Sequence, residues 1–370
     1  MDHTVSLAGL GDLKGYTMNL IALVLVVPSV LLLISIANSF SLRRPAKGAK
    51  TFSGSVVVLL PVRDEAENIP ELVACLANQR GITDLSFHFL DDNSTDATRA
   101  LVSEEIKDDP RFTISSGAPL QEGWMGKPFA LQQGLDLTKS EIVVIIDADV
   151  RLGESALVSA IDVMKTRKLS FVSAYPRQIA ISWSERLIQP LLQWSWMSTL
   201  PLAIAERSTN PAFAVANGQF FIAERAALKD VNGFHGIKSE IIDDIAIARA
   251  LLRQGHRGSA IDGSRIASCR MYKSWAELRE GYGKSLRVAF GGAGGSMIAA
   301  FFLLAVGILP LAMGVLGYVL VISSRVVSAI ATRARLIDTL LQPLSILLLI
   351  YLLARSWVMR GRTQWKGRLV

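Results

Sequence analysis

Cysteine is scarce: only Cys75 and Cys269 occur in 370 residues. They form no CxxC pair, which excludes a metal–thiolate site and argues against a disulfide framework. A reducing compartment fits. No basic stripe is interleaved with aromatics, so nucleic acid is not an expected partner. Internal repeats and low-complexity segments are also missing. Charged residues make up only 19% of the chain, and the run from Arg355 to Arg368 holds five cations and no acid. Apolar residues are abundant, at 51%, with a mean hydropathy of +0.37. That balance points to a soluble domain combined with membrane segments. The net charge of +7 is concentrated beside the apolar stretches, the pattern of flanks that face an anionic membrane surface.

Met18 to Ala37 is apolar over a membrane-spanning length, with Pro28 inside it. A short polar tail, Met1 to Thr17, precedes it, and Arg43, Arg44, Lys47 and Lys50 follow. Positive-inside reasoning puts the tail outside and residue 43 onward in the cytoplasm. A cleaved signal peptide fits less well, because the cations lie on the wrong side of the apolar run. Near the other end, Met297 to Ser323 is uncharged and contains Pro310, and Leu340 to Ala354 is a further apolar span. Two C-terminal spans return the basic tail to the cytoplasm; three would not. The expected organisation is an anchor over 1–50, a cytoplasmic catalytic domain over 51–290, and membrane helices with a basic tail over 291–370. The expected location is the plasma membrane, in multi-pass form.

From Thr51 the periodicity changes. Ser55–Leu60 reads as a strand, closed by Pro61-Val62-Arg63-Asp64-Glu65, and a helix follows over about 69–79. Leu85–Leu90 reads as a second strand ending in Asp91-Asp92, with Ser94 or Thr95 as cap of a helix over about 97–106. A loop with Trp124 and Lys127 leads into a helix over about 129–137. Val143–Ile146 then reads as a strand buried on both faces, ending in Asp147-Ala148-Asp149. Alternating βα units predict an α/β fold with a Rossmann-like, mostly parallel sheet. Carboxylates at i and i+2 of an extended segment point the same way, and two so close call for a hard divalent cation such as Mg²⁺ or Mn²⁺. The competing reading is an ordinary polar turn, where Asp is common. Ile179–Arg207 holds Trp183, Trp194 and Trp196 among leucines, and reads as an interfacial amphipathic segment in preference to a core helix. Ala216–Ile222 reads as a strand in which Gly218 permits close ligand approach. Asp243 and Asp244 open a helix, which alone is a dipole-favourable start.

Four acidic clusters in this order, within VVVLLPVRDEAENI, FLDDNSTDAT, GWMGKPFALQQGL, VVIIDADV, ANGQFFIAERAAL and IIDDIAIARALLRQGHR, resemble family 2 glycosyltransferases of the GT-A fold. The likeness covers about Ser55 to Leu286. It is strongest to membrane-anchored members acting on lipids, such as diaponeurosporenoate and hopene-associated glycosyltransferases. The resemblance implies that Pro61, Arg63, Glu65, Asp91, Lys127 and Asp147 line a nucleotide-sugar, with a UDP-sugar the first candidate. Asp91 would read the base. Asp149, with Asp147, would hold the metal. Asp244 would be the catalytic base, beside Asp243. Trp124, Gly218, Gln219, Arg270, Tyr272 and Trp275 would lie in the acceptor region. Asp64 stands where the family usually has Asn. Processive polysaccharide synthases carry Gln-X-X-Arg-Trp, whereas this chain has Arg270-Met271-Tyr272-Lys273-Ser274-Trp275. That departure favours transfer of one sugar to a hydroxyl or carboxyl of a carotenoid, terpenoid or glycolipid-type acceptor. The alternatives are a polysaccharide or polyprenyl-phosphate sugar synthase and, in another class, an inactive membrane-anchored binding protein.

Overall fold

A computed structural model describes the backbone of residues 7–46, 51–360, 364–365 and 368–369, and the side chains of 24–46 and 51–360. Lys47, Lys50, Arg362 and Lys366, counted among the flanking cations, lie outside the described residues. Helix α1 (Leu7–Ser41) begins well before the expected start at Met18. Leu7, Leu10 and Leu13 extend its apolar spacing towards the N-terminus despite two glycines.

From Phe52 the chain alternates strand and helix. It runs β1 (Phe52–Val62), α2 (Ile69–Ala77), β2 (Ile82–Asp91), α3 (Thr98–Ile106), β3 (Phe112–Ser116), α4 (Gly126–Leu137), β4 (Ile142–Ile146), β5 (Val150–Leu152), α5 (Ala156–Thr166) and β6 (Phe171–Tyr175). After β7 (Arg177–Gln178) come three short helices, α6 (Trp183–Ile188), α7 (Pro190–Thr199) and α8 (Leu202–Ala205). Then follow β8 (Phe220–Glu224), α9 (Arg225–Asp230), α10 (Asp243–Arg253), β9 (Gly258–Asp262), β10 (Ala267–Cys269) and α11 (Trp275–Ala289).

Seven strands form one sheet in the order β3-β2-β1-β4-β8-β6-β9. β8 runs antiparallel to both neighbours, and every other pairing is parallel. Successive residues of β1 and β4 point to opposite faces. Val56, Val58, Ile142 and Val144 enter one apolar core, and Val57, Leu59, Val143 and Ile145 enter the other. All five β4 side chains are at most 3% exposed, so the strand is buried on both faces as its composition predicts. The second sheet, β5-β10-β7, sets Cys269 opposite Val150, one residue past Asp149.

Two local expectations change. Ala216–Gln219 is a loop and the strand starts at Phe220, because Gly218 N–H donates to Asp244 and Gln219 N–H to Asn217 Oδ1 instead of to a ladder. Ser94 and Thr95 do not cap α3. Ser94 Oγ accepts from Asp64 N–H, and Thr95 donates to the Asp64 carboxylate, while Asp96 accepts from Thr98 N–H at the start of the helix.

The C-terminal region holds α12 (Gly292–Gly307), α13 (Gly314–Thr332) and α14 (Gln342–Val358). The apolar run from Met297 is not one tilted helix. A 3-10 turn over Leu309–Met313, with Pro310 at its start, separates α12 from α13, as a proline lacking its N–H does to a helix interior. Val24–Ser41, Gly292–Thr332 and Leu336–Val358 are long and apolar enough to cross a membrane. The Ile179–Arg207 segment divides. Trp183 is 58% exposed, but Trp194 and Trp196 are buried, and Trp194 Nε1–H donates to Ser324 Oγ of α13. These two tryptophans pack against protein, contrary to the interfacial expectation.

Candidate active site

The Asp147-Ala148-Asp149 stretch is a tight turn between β4 and β5, not an extended segment; Val150 N–H donates to Asp147 O at 3.1 Å. The turn still sets the carboxylates side by side. Burial, then the Asp147 charge, push the Asp149 carboxyl up to about 6. Asp149 Oδ1 is buried without a hydrogen-bond partner. An orphaned oxygen beside a second acid is the environment a hard cation relieves. Among the described residues no three His, Cys, Asp or Glu side chains cluster into a cage. A cation held by one or two carboxylates and by substrate phosphates needs none.

Lys127, in the first turn of α4, places Nζ 2.6 Å from Asp147 Oδ1 and 3.8 Å from Asp243 Oδ2. Burial alone would lower its pKa, but the combined pull of Asp147, Asp243 and Asp244 wins and raises it. Asp243 and Asp244 form the first turn of α10, where the helix dipole favours negative charge. Gly218 N–H donates to Asp244 Oδ2 at 2.7 Å, and Ile245 N–H to Oδ1 at 2.8 Å. Burial, then Asp243, push Asp244 up to about 6 against the opposing charge of Lys127. Asp243 is raised too, by burial first, with Lys127 opposing. Gly218 has a steric reason to be glycine: a Cβ there would lie 2.9 Å from Lys127 Nζ and 3.4 Å from Asp244 Cβ. Its neighbour Gln219 accepts from Asp147 N–H through its carbonyl, at 3.3 Å. Asp147, Asp149, Lys127, Gly218, Gln219, Asp243 and Asp244 therefore gather at one end of the sheet.

A second neighbourhood joins the loops after β1 and β2. Arg63 Nη1 donates to Asp92 O and Asn93 O. Asp91 is buried and holds its turn by accepting from Ser94 N–H. Asp64 has φ +49°, a conformation that Asn and Asp tolerate best among residues with a side chain, so Asp in place of the usual Asn keeps the backbone. Pro61 pairs with Leu90 at the end of β1. Glu65 accepts from Asn68 Nδ2 and lies near enough to Asp149 for its charge to be felt there. It links the two neighbourhoods.

Of the six residues expected near an acceptor, Gly218 and Gln219 lie at the sheet end with Asp147 and Asp244, and the other four scatter. Trp124 is buried beside Phe129 and His235. Arg270 pairs with the buried Glu185 of α6. Tyr272 is buried against Gly281 of α11 and raised well above its usual pKa, by burial first and Tyr282 next, with Asp149 also contributing. Trp275 lies between Trp183 and Tyr351, at 5.4 and 6.4 Å between ring centres, so it joins α6, α11 and α14. Sequence reasoning missed Cys269, whose thiol lies against Asp149, and Asp96, which accepts from Ala66 N–H and pins the first loop. Asp96 was visible in the acidic DDNSTDAT run; Cys269 carried no signal beyond its rarity.

Residues 57–231 match the sequence model of Glycosyl transferase family 2. Over that stretch the chain resembles a family 2 glycosyltransferase domain, and its sheet has the GT-A type of fold. The 4,4'-diaponeurosporenoate glycosyltransferase of Staphylococcus haemolyticus is 24% identical over 237 residues, 63% of this chain and 61% of that protein. This chain thus spans about three fifths of that curated relative. The beta-monoglucosyldiacylglycerol synthase of Nostoc sp. is 29% identical over 133 residues, 35% of this chain and 28% of its own length. Among solved structures, the mannosyltransferase PcManGT of Pyrobaculum calidifontis, in complex with GDP-Man and Mn²⁺, superposes with a TM-score of 0.55 at 18% identity, covering 94% of this chain and all of that one. That similarity speaks for the fold.

Proposed function

We propose that this enzyme is an inverting, metal-dependent glycosyltransferase that moves one sugar from a nucleotide-sugar to a hydroxyl or carboxyl of a membrane lipid. The observation that carries the proposal is the meeting of Asp147, Asp149 and Lys127 with Asp244 at one sheet end, on a domain bearing apolar helices at both ends of the chain. In this reading the anchor is 1–50, the catalytic domain 51–290 faces the cytoplasm, and 291–370 returns to the membrane.

A divalent cation, Mg²⁺ or Mn²⁺, held by Asp149 and Asp147, would neutralise charge on the departing nucleoside diphosphate. The loops carrying Pro61, Arg63, Glu65 and Asp91 cradle the nucleotide. Lys127 holds Asp147 in place and supplies positive charge near the phosphates. Asp244 takes the proton from the acceptor hydroxyl as that oxygen attacks the anomeric carbon. A carboxyl pushed up to about 6 is a stronger base than an ordinary aspartate yet remains largely unprotonated at neutral pH. Gly218 N–H holds Asp244 Oδ2 in one orientation. Displacement from the face opposite the diphosphate in a single step inverts the anomeric configuration. The names of the carotenoid and diacylglycerol relatives support a lipid acceptor. A UDP-sugar is the first donor to test, and GDP-mannose, present in the PcManGT structure, the second.

Asp149→Asn and Asp244→Asn test the assignment. Each should lower transfer by about a thousandfold while leaving the fold intact by circular dichroism. Full activity in either variant would refute its assigned role.

A further inference from the structure

Four glutamines behind Gly218 carry an unusual load of unsatisfied polar atoms. Gln178 Oε1, both amide atoms of Gln189, Gln193 Oε1 and Gln219 Nε2 are buried with no hydrogen-bond partner. They are five of the thirteen such atoms among the described residues. An orphaned buried polar group is costly, so five in one neighbourhood point to a partner from outside the chain. Three of the side chains are linked, and the fourth is placed beside them by helical spacing. Gln178 Nε2 donates to Gln219 Oε1 and to Pro176 O, and Gln193 Nε2 donates to the same Pro176 carbonyl. Gln189 lies one helical turn before Gln193. Gln189, Gln193 and Gln219 are at most 4% exposed. Gln178 is half-buried and the most open of the four.

The cluster borders the reacting centre on the side of the apolar helices. Gln219 follows Gly218, which holds Asp244, and its carbonyl accepts from Asp147 N–H. Gln189 and Gln193 belong to the α6–α7 segment, which packs on α13. The five free atoms are two N–H donors and three carbonyl acceptors. A hydroxyl both donates and accepts and can serve both kinds. A fully ionised phosphate only accepts, so it would face three carbonyl oxygens with nothing to offer them, and its charge would meet no cation among the four glutamines.

We propose that Gln178, Gln189, Gln193 and Gln219 form a neutral subsite that binds the hydroxyl-bearing, unphosphorylated polar end of the acceptor lipid. This rests on the lipid-acceptor reading above and narrows it to uncharged head groups.

The test is equilibrium binding to the detergent-purified full chain, followed by tryptophan fluorescence and read without donor or turnover. Dioctanoylglycerol is compared with dioctanoyl phosphatidic acid, which has the same chains and a phosphate in place of the free hydroxyl. Dioctanoylglycerol should bind saturably and at least about tenfold more tightly. Gln193→Leu and, at the half-buried position, Gln178→Leu should each weaken it about tenfold and leave the phosphatidic acid affinity unchanged. Equal or tighter binding of phosphatidic acid, no binding of dioctanoylglycerol, or unaltered affinity in both variants would overturn the subsite. Absence of donor turnover would instead count against the catalytic reading, so the two failures are separable.

Discussion

The half of the sheet built from β3, β2, β1 and β4 and the segments facing the apolar helices handle polarity in opposite ways. In the first, polar side chains sit at strand ends, where open loops bring them together. Asp64 accepts from Thr95, Asp96 from Ala66 N–H, and Lys127 reaches Asp147. In the second, polar groups are sealed inside. Arg325 is 2% exposed within α13 and donates to Gln342, Ser345 and Arg186 O. Asp338, equally buried, pairs with Arg186. A charge at an open loop can be satisfied by ligand or water, whereas a charge enclosed among apolar helices must be satisfied by the chain itself. Substitutions should therefore cost function in the first region and stability in the second.

The largest stability effect should come from Asp338→Ala. It leaves Arg186 without its partner and removes the only acid within salt-bridge range of either Arg186 or Arg335 among the described residues, so the unfolding midpoint should fall. Thermal unfolding of the purified chain measures it; an unchanged midpoint would erase the proposed contrast.

Gly218→Ala should act the other way. Its new Cβ presses on Lys127 Nζ, so turnover should fall about tenfold or more, with little change in melting temperature. A stability loss without a rate loss would move Gly218 into the structural class.

pH should separate activity from stability within the candidate site. As the proposed base, Asp244 must be unprotonated, so activity should fall as pH drops through about 6. Stability should respond with the opposite sign. The Asp149 carboxyl is raised in the folded protein above its ordinary value, so the folded state binds the extra proton. Its contribution is full below about pH 4 and is lost as pH rises through about 6. Asp149→Asn should therefore stabilise the metal-free protein by about 1 kcal/mol at pH 8 and much less at pH 4, as melting curves at the two pH values would show. The smallest effect belongs to Lys273→Ala. Its pair with Glu67 is exposed on both sides and screened by solvent, so the melting curve should not move measurably.

The same contrast explains what could be read from the sequence. Strand β4 and its acidic end were legible because a β-branched run followed by two aspartates has few other uses. Lys127, Gly218 and Asp244 were legible through the family pattern, but Gly218 meets the end of β4 only because β8 runs antiparallel and sets Phe220 opposite Ile146. The antiparallel direction of β8 was not legible, since FFIAE carries no mark of orientation. Gln189 and Gln193 were hidden in a tryptophan- and leucine-rich segment that reads as apolar, because an amide has no charge to betray it. Arg325 escaped because it lies just past an uncharged run, and only α13 continuing to Thr332 encloses it. Polar groups that meet across a long sequence distance leave no local period.

The measurement that tests the central claim most directly is turnover of a panel of nucleotide-sugars by the detergent-purified protein, with Mg²⁺, Mn²⁺ or EDTA, with and without a total lipid extract. One donor should be consumed, only with metal, and faster when lipid is present, with product mass giving the acceptor. Turnover undiminished in EDTA, or no donor bound or consumed under any metal, would contradict the metal-dependent transferase built here around Asp149 and Asp244.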